Sequence, residues 1–413
     1  MNKNKNNCKP RLLIILNRFV IGGQAADTLS LAWHLKDDFE ILVLTGEKEK
    51  DETEAEFLLQ KYPGVVLKKN KYLRRGINPF IDLLAFFHAL VAIIRYKPHI
   101  VHTHGAKPGF AGRVAAWIAG VPVIVHTFHG HIFHSYFSKF ISAFIAAVER
   151  MVGKITTCAI ALSESQKSEL VNQYRILPAS KIVVIQLGFD FEDEKDPATL
   201  RQNFRNKYNL QQDDIAIGIV GRIVPVKNHS FFVKVIHRIL TSGVKNPPAF
   251  FIIGDGDLRL NVENELHQKK IAFSNKAISP ETRVVFTSWL TDIIEVMNGL
   301  DIVVLTSLNE GTPLSVIEAQ FFKKPIVATN VGGLKDSMLD GITGFLVEKN
   351  DLIAFCEKLD ALINDGLLRD TMGKEGNKFA SLKFSKQKEI TLTHDLYFYL
   401  LRKKGIFRFQ GCS

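Results

Sequence analysis

The stretch DIVVLTSLNEGTPLSVIEAQFFKKPIVATN, residues 301–330, combines two apolar strands, a loop and the start of a helix. Its first six residues are an apolar run that predicts a parallel strand, and Pro313 stands where the first turn of a helix accepts proline. The loop between them opens onto a helix N-terminus, which carries a partial positive charge of about +0.5 e and unpaired amides. Those amides belong to Thr312, Leu314 and Ser315. Such a helix end predicts an anion site, typically for phosphate.

Two glutamates, Glu310 and Glu318, stand on either side of this predicted anion site. Glu310 precedes the helix and Glu318 lies about one turn inside it, so both carboxylates flank the amides and neither faces them. Each carboxylate can accept hydrogen bonds from hydroxyl groups. A ligand with phosphate in the middle and hydroxyls at both ends fits this arrangement, and a nucleotide-sugar has that shape. In the alternative interpretation, Glu310 is a loop charge and Glu318 is a solvated helix residue.

A second predicted strand-to-helix loop carries two cations. The apolar run IAIGIV, residues 215–220, leads into GRIVPVKN, residues 221–228, before a helical pattern. The arginine fork of Arg222 and the ammonium of Lys227 can together hold a diphosphate and stabilise its charge as it leaves. A pair of solvated loop cations is the alternative, and a second anion site in the same half of the chain weakens it.

The second half of the chain contains four segments in a fixed order. They are GRIVPVKN (221–228), FIIGDGDLR (251–259), EGTPLSVIEA (310–319) and VATNVGGLKDSMLDGITGFLV (327–347). This order resembles the donor-binding half of the retaining glycosyltransferases of family 4, over roughly residues 210–380. The two glutamates with seven residues between them are the diagnostic element.

The resemblance implies a fold, an activity and a role for each site residue. The fold is GT-B, an α/β architecture of two doubly wound parallel sheets, each Rossmann-like, that face each other across a cleft. Arg222 and Lys227 would contact the diphosphate of the donor, Glu310 the sugar hydroxyls and Glu318 the ribose. The spacing alone does not decide which glutamate takes which end of the ligand.

The length and the element pattern predict two domains. Strand and helix patterns alternate through both halves, which is typical of doubly wound parallel sheets. We place an acceptor-binding domain at 1–190, with the linker at 188–195, and a donor-binding domain at 191–385. In a GT-B protein the last segment, 386–413, forms a helix and tail that cross back to the first domain. Ligands of such sheets bind at the carboxyl ends of the strands, where the motifs fall.

Gly22 and Gly23 follow the first predicted strand. Because they lack side chains, they let a helix N-terminus approach the donor diphosphate or the acceptor. A tight turn is the equally good alternative for a glycine pair taken by itself.

Seven of the 13 histidines lie between His99 and His134. Zinc is an obvious hypothesis, but no cysteine or carboxylate at ligand spacing accompanies them, so we reject it. The run HTFHGHIFHSYF resembles the family loop in which a histidine before glycine points into the cleft, and that residue is His129. The resemblance implies that His129 bonds the transferred sugar or a phosphate oxygen, or assists proton movement. The acceptor pocket would then be bordered by His131, His134 and Tyr136, and the other histidines are expected to be structural or on the surface.

Asp255 and Asp257 flank a single glycine and could hold magnesium against a diphosphate. A turn followed by a helix N-cap explains them equally well. In GT-B proteins the diphosphate is neutralised by arginine, lysine and helix amides, so we expect neither a metal nor another cofactor. The likeness implies a nucleotide-sugar as the donor substrate.

The composition, 46% hydrophobic and 23% charged, is that of a globular protein. Residues 1–190 hold 24 Lys and Arg against 15 Asp and Glu, a net +9, whereas 191–413 hold 29 against 27, a net +2. This basic half and the basic segment 68–75, which precedes an apolar helix pattern, predict contact with an anionic membrane; we expect no nucleic acid. A merely basic surface is the alternative for the charge, and a buried helix is the alternative for the apolar pattern. Four separated cysteines and no signal peptide favour a cytoplasmic protein.

We therefore expect a retaining glycosyltransferase of the hexosyltransferase type at the inner face of the membrane. The acceptor would be a lipid-linked saccharide in capsule, exopolysaccharide or O-antigen synthesis, while the sugar, base and linkage stay open. A sugar-nucleotide epimerase of the same fold and a non-catalytic nucleotide-sugar binding module are the rivals. A dinucleotide dehydrogenase is disfavoured because no G-x-G-x-x-G motif follows the first strand.

Overall fold

The computed structural model describes residues 9–49, 52–74, 76, 78–129, 139–189, 196–243, 246–290 and 292–406. These residues form two compact units. The first contains the chain up to Gly188 and again from Lys386 onward, and the second contains Phe189–Ser385. The chain thus passes from the first unit to the second after Gly188 and returns to the first after Ser385.

The first unit is a seven-stranded parallel sheet with helices on both faces, in the order β3-β2-β1-β4-β5-β6-β7. Its strands are β1 (Arg11–Arg18), β2 (Glu40–Gly46), β3 (Val66–Asn70), β4 (Ile100–His104), β5 (Val123–Phe128), β6 (Cys158–Ala161) and β7 (Ile182–Val184). Its helices up to Gly188 are α1 (Gly23–Leu35), α2 (Phe57–Lys61), α3 (Pro79–Tyr96), α4 (Ala106–Ile118), α5 (Lys139–Ile155) and α6 (Glu164–Ser168).

Alternate residues of β1 pack on opposite faces of this sheet. Leu12 and Ile14 face one apolar cluster, and Leu13 and Ile15 face another that includes Ala89 of α3. A strand buried on both faces carries an uninterrupted apolar run, which the sequence LLIIL provides. Both sides of the sheet are thus covered by helices.

The second unit repeats the architecture, with strand order β10-β11-β9-β8-β12-β13-β14. Its strands are β8 (Ala216–Val220), β9 (Ala249–Ile253), β10 (Phe273–Ser274), β11 (Val284–Ser288), β12 (Ile302–Leu305), β13 (Ile326–Thr329) and β14 (Gly344–Val347). Its helices are α7 (Pro197–Lys207), α8 (His229–Thr241), α9 (Arg259–Gln268), α10 (Ile293–Gly299), α11 (Leu314–Phe321), α12 (Leu334–Ser337), α13 (Leu352–Asn364) and α14 (Gly366–Lys383). All pairings between the named strands are parallel.

The helix α15 (Lys386–Lys403) belongs to the first unit. Tyr397, Leu400 and Leu401 of this helix are buried in the same apolar cluster as Leu12 and Ile14 of β1. The last helix therefore packs within the first unit, after the chain has passed through the second.

Each sheet has one point where the strand order reverses, and ligands of open α/β sheets bind there. In the first unit the point lies between β1 and β4, and in the second between β8 and β12. In the first unit, the loop from β1 to α1 contains Gly22, and Gly23 is the first residue of α1. In the second unit, the loop after β8 contains Arg222 and Lys227, and the loop after β12 contains Glu310. The predicted fold class of two doubly wound parallel sheets is confirmed.

Candidate active site

In the second unit, the loops after β8 and β12 meet through an ion pair. Lys227 Nζ lies 2.6 Å from Glu310 Oε1, and the two side chains are 19% and 10% exposed. The backbones are joined as well, since Leu308 N donates to the carbonyl of Val226 at 2.7 Å. The buried hydroxyl of Thr306 lies 3.0 Å from the carbonyl oxygen of Lys227. Two residues that lie 83 positions apart are thereby fixed side by side.

The backbone of Glu310 is held from the other side by the loop after β13. Gly333 N donates to the carbonyl of Glu310 at 2.9 Å. A Cβ atom on Gly332 would lie 2.0 Å from that carbonyl oxygen, and one on Gly333 would lie 1.8 Å from the carbonyl oxygen of Gly311. Both positions therefore require glycine. The sequence marks this glycine pair only as part of the motif 327–347, and its contact with Glu310 was not predicted.

The helix α11 begins at Leu314, so Pro313 is its N-cap and not its first residue. Pro313 adopts φ −77° and ψ 101°, an extended conformation that frees its carbonyl to accept the amides of Val316 and Ile317 at 3.2 and 3.3 Å. Within the described part of the chain, no atom accepts a hydrogen bond from the amides of Thr312, Leu314 and Ser315. The free amides leave the helix N-terminus available to an anion, which stays a prediction, and proline stands one position earlier than expected.

Glu318, on the same helix, is partly buried. Burial raises its pKa to about 7, and the ammonium of Lys227 opposes the shift. The carboxyl group is therefore poised between its neutral and charged forms near neutral pH. It can donate or accept a hydrogen bond with a hydroxyl of a ligand.

Arg222, two residues after the end of β8, is partly exposed. Among the residues described, no carboxylate pairs with its guanidinium, so its donors are available to an anion. Its loop is held close to β9, because a Cβ atom on Gly254 would lie 2.1 Å from the carbonyl oxygen of Gly221. Gly254 has φ +130°, a conformation that side chains disfavour.

Asp255 is already occupied by protein donors. Its carboxylate accepts from Arg259 at 2.9 Å and from the amide of Gly256 at 2.8 Å. The N-cap of α9 is Leu258, so the hypothesis that Asp255 or Asp257 caps this helix is wrong. Over the described ranges, no three His, Cys, Asp or Glu residues are grouped so that they could hold a metal ion.

Arg259, the first residue of α9, is also bound by protein groups. It contacts Glu263 at 2.9 Å and Asn275 at 2.7 Å, in addition to Asp255. Its role in the structure is to join α9 to the loops after β9 and β10.

In the first unit, Gly22 is the N-cap of α1 and no side chain caps the helix. Its backbone is extended, with φ 160° and ψ 162°, which does not support the tight-turn alternative. A Cβ atom there would meet no other atom within 4 Å. The N-cap of α1 is therefore exposed and not crowded by neighbouring atoms among the described residues.

His129 follows β5, and its Nε2 lies 2.6 Å from Nδ1 of His104 at the end of β4. His102 lies 2.6 Å from the hydroxyl of Tyr397 and 2.7 Å from that of Thr127. Burial lowers the pKa of His129, and it lowers the pKa of His102 to about 3, so both rings are neutral at pH 7. His102 is thus held by hydroxyl groups of the first unit, whereas His104 contacts His129 itself.

Three residues that the sequence analysis did not identify form a charged cluster beneath His129. Lys386 Nζ lies 2.8 Å from Asp27 and 2.7 Å from Glu389. Burial opposes the ionisation of Asp27, but Lys386 outweighs burial and holds the pKa of Asp27 below its usual range. The charge of Asp27 in turn opposes the lowering of the His129 pKa. Burial and the charge of Asp27 raise the pKa of Glu389 well above its usual range. His131, His134 and Tyr136 lie outside the described residues.

Comparison with known proteins identifies the family. The family "Glycosyltransferase Family 4" matches residues 21–193, and "Glycosyl transferases group 1" matches residues 201–379. The chain is 30% identical over 337 residues to the UDP-Gal:alpha-D-GlcNAc-diphosphoundecaprenol alpha-1,3-galactosyltransferase of Escherichia coli, covering 80% of this chain and 83% of that protein. It is also 30% identical to the capsular polysaccharide biosynthesis glycosyltransferase CapM of Staphylococcus aureus, covering 76% and 80%.

Solved structures share the fold. Anabaena Alr3699/HepE in complex with UDP and glucose superposes with a TM-score of 0.75 at 18% identity, covering 94% of this chain and 100% of that one. Sucrose-phosphate synthase from Thermosynechococcus elongatus gives a TM-score of 0.78 at 18% identity, covering 96% and 100%. The parallel sheets, the loops at their switch points and these relatives agree, and the chain belongs to glycosyltransferase family 4, with the GT-B fold.

Proposed function

We propose that this enzyme transfers a hexose from a UDP-hexose to a hydroxyl group of a lipid-linked saccharide, with retention at the anomeric carbon, in cell-surface polysaccharide synthesis. The observation that carries the proposal is the set of groups at the switch point of the second unit. Arg222, Lys227 and the free amides of α11 supply positive charge, and Glu310 lies beside them. The names of the Escherichia coli and Staphylococcus aureus relatives support the substrate class.

The donor would bind with its diphosphate between the cations and the N-terminus of α11. Lys227 would exchange its contact with Glu310 for a phosphate oxygen, and Arg222 would add a bidentate contact. Glu310 would then accept from the sugar hydroxyls, and Glu318 would bond the ribose. UDP-Gal in the name of the Escherichia coli relative supports uracil as the base.

In the transfer step, the acceptor oxygen forms a bond to the anomeric carbon while the bond from that carbon to the diphosphate oxygen breaks. The electron pair leaves with the diphosphate, whose growing charge Arg222, Lys227 and the amides of α11 stabilise. The acceptor proton passes to the departing phosphate oxygen, so attack and departure occur on the same face of the sugar. No divalent metal is needed for the charge, and His129 would orient the acceptor or the sugar from the first unit.

We also propose that the first unit lies on the inner face of the cell membrane. Of the described helices, α3 is the one with the length and apolar composition to cross a bilayer. It buries only Ala85, Ala89 and Ile93 against the unit, which does not support the buried-helix alternative. Its outward side exposes large apolar residues, with Phe80 82% exposed. These are Phe80, Leu83, Leu84, Phe87, Val91 and Ile94.

The basic segment 68–75, which begins within β3, supplies fewer free charges than the sequence predicted. Lys69 pairs with Glu54 at 2.7 Å, and Arg75 lies outside the described residues. Lys68, Lys71 and Arg74 remain exposed at the edge of the apolar surface. An apolar face bordered by cations fits a membrane with anionic lipids. We propose that α3 lies on the membrane surface and does not span the bilayer, because it also packs on the sheet through Ala89 and Ile93.

A thermal-shift panel of UDP- and GDP-sugars, followed by transfer assays on an undecaprenyl-diphosphate saccharide, tests the donor and the reaction together. We expect stabilisation by UDP and a UDP-hexose, and a product with the anomeric configuration of the donor. Binding without transfer to any lipid-linked or free saccharide would favour a non-catalytic module. Conversion of the sugar without an acceptor would favour an epimerase.

A further inference from the structure

Three buried hydroxyl groups join the loops of the second unit where Lys227 and Glu310 meet. Thr306 and Ser307 follow β12, Thr329 ends β13, and all three side chains are at most 1% exposed. The Ser307 hydroxyl donates to Glu310 Oε1. The carbonyl oxygen of Ser307 accepts from the hydroxyl of Thr329 at 2.6 Å. Ser307 is thus fixed by the neighbouring strand and in turn holds the glutamate.

These contacts give the two oxygens of the Glu310 carboxylate different surroundings. Oε1 receives both Ser307 and Lys227, whereas Oε2 has no hydrogen-bond partner among the residues that the structure describes. The carboxylate is therefore anchored through one oxygen and offers the other to a ligand hydroxyl. Such an arrangement fixes the orientation of the free oxygen before the ligand arrives.

The anchor matters most when the donor is bound. Lys227 is the residue that a diphosphate would attract, and its transfer to phosphate would remove one of the two donors from Oε1. Ser307 carries no charge, so a phosphate does not compete for it as strongly. Its hydroxyl would keep the little-exposed carboxylate hydrogen-bonded and oriented while Glu310 binds the sugar.

We propose that Ser307 is a positioning residue for sugar recognition, which acts through Glu310 and touches neither the donor nor the acceptor. The proposal rests on the proposed function of Glu310. It differs from a purely structural role, because a structural serine would affect nucleotide and sugar binding alike.

The test compares Ser307→Ala with Ser307→Thr, which keeps the hydroxyl, and with Thr306→Val as a matched control. Thr306 is the adjacent buried hydroxyl, but it bonds the carbonyl oxygens of Lys227 and Asn228 and does not contact Glu310. Calorimetry measures the affinities for UDP and for the UDP-hexose accepted in the transfer assay, and steady-state kinetics measures transfer. The informative quantity is the ratio of the two affinities, since the sugar contacts set it.

We expect Ser307→Ala to lower kcat/KM about tenfold, the scale of one hydrogen bond, and to reduce the ratio of UDP-hexose to UDP affinity. Ser307→Thr should restore both quantities. Thr306→Val should change both affinities together and leave their ratio unaltered. In the Glu310→Ala background, adding Ser307→Ala should cause no further loss, because the group that it positions is gone.

If Glu310→Ala lowers transfer about 10²-fold as expected, wild-type transfer by Ser307→Ala, or an unchanged affinity ratio, would overturn the inference. Full transfer by Glu310→Ala would overturn the proposed function as well. If Ser307→Ala does not fold, Ser307→Cys keeps the volume with a much weaker donor and should give the same pattern.

Discussion

Lys227 Nζ and Glu310 Oε1 are 2.6 Å apart, although the two residues are assigned to opposite parts of one ligand. Lys227 is the proposed diphosphate contact and Glu310 the proposed sugar contact. With no ligand bound, the two neutralise each other. A donor must therefore compete with Glu310 for the lysine, and this competition distinguishes the roles of the two residues experimentally.

Replacing either partner should abolish most of the transfer but affect nucleotide binding in opposite directions. Lys227→Ala and Glu310→Ala should each lower kcat/KM about 10²-fold, the scale for one preorganised electrostatic contact. Lys227→Ala should also weaken UDP binding. Glu310→Gln should strengthen UDP binding about two- to fivefold, because a partly exposed ion pair of this strength no longer holds the lysine.

Calorimetry with UDP and a transfer assay measure the two effects. Lys374→Ala is the matched control, since it breaks a lysine–aspartate pair of the same 2.6 Å length on the exposed surface of α14. It should change neither quantity. Wild-type turnover by both Lys227→Ala and Glu310→Ala would contradict the assignment of the site.

The two charged residues could be predicted because their signals are local. Lys227 and Glu310 each follow an apolar run in a loop before a helix, and parallel strands bring such loops to one edge of a sheet. The prediction that they share a site needed no knowledge of strand order. Their direct pairing could not be predicted without the strand order, because β8 and β12 are neighbours only in the folded sheet.

The uncharged residues that hold the site could not be predicted in the same way. Serine and threonine after a strand have many uses, and the contact from Thr329 to Ser307 depends on the adjacency of β12 and β13. The cluster of Asp27 and Lys386 spans 359 positions, so no sequence spacing reveals it. Pro313 was misplaced by one position because proline is accepted both before and inside the first helical turn.

The transfer reaction should be independent of divalent metal. Arg222, Lys227 and the N-terminus of α11 supply the charge that a metal would otherwise supply, and Asp255 is held by Arg259. We expect activity to survive exhaustive EDTA treatment, and Asp255→Asn to lower transfer less than about fivefold, as for loss of a partly exposed ion pair. Loss of activity with EDTA and its recovery with magnesium or manganese would return Asp255 and Asp257 to the site.

The first unit should bind vesicles that contain anionic lipid. Phe80→Ser with Phe87→Ser removes apolar contacts of about 1 kcal/mol or more each, so we expect binding to fall at least tenfold. Charge reversal at Lys68 and Arg74 should weaken binding by about 1 kcal/mol per residue and reduce its salt dependence. Sedimentation with vesicles of stated composition measures both effects.

The control for this experiment is Leu367→Ser with Leu382→Ser, which removes two apolar residues of the second unit that are 77% and 79% exposed. These changes should leave vesicle binding intact. If the wild-type protein stays in the supernatant at low salt, the membrane proposal fails and a soluble acceptor becomes the better hypothesis.

His129 should affect turnover more than nucleotide affinity. It lies in the first unit, and burial keeps its pKa below 6.5, so a neutral ring is expected at pH 7. His129→Asn should lower kcat at least tenfold, as for a residue that positions or assists the reacting groups, and should leave the affinity for UDP unchanged. Steady-state kinetics and UDP calorimetry separate the two quantities. A proportional loss of UDP affinity would instead assign His129 to the diphosphate.

The first unit should lose stability as the pH falls below about 6.5, because it buries several neutral histidines. Burial lowers the pKa of His102 to about 3 and lowers those of His104 and His126 well below the ordinary value. In the unfolded chain these rings bind protons below about pH 6.5, whereas in the folded unit they stay neutral. The unfolded state thus binds more protons, and the free energy of unfolding falls with decreasing pH.

Each such histidine lowers the free energy of unfolding by about 1.4 kcal/mol per pH unit as the pH falls. Glu389 opposes part of this loss, because burial raises its pKa. His102→Gln removes one titrating ring and should reduce the slope between pH 6.5 and 4.5 by about that amount. His88→Gln is the control, since this histidine is exposed on α3 and should leave the slope unchanged. Denaturant unfolding in a Trp289→Phe background reports on the first unit alone, because the other two tryptophans, Trp33 and Trp117, lie there. An unfolding free energy that is constant between pH 6.5 and 4.5 would show that the histidines are not buried in their neutral form.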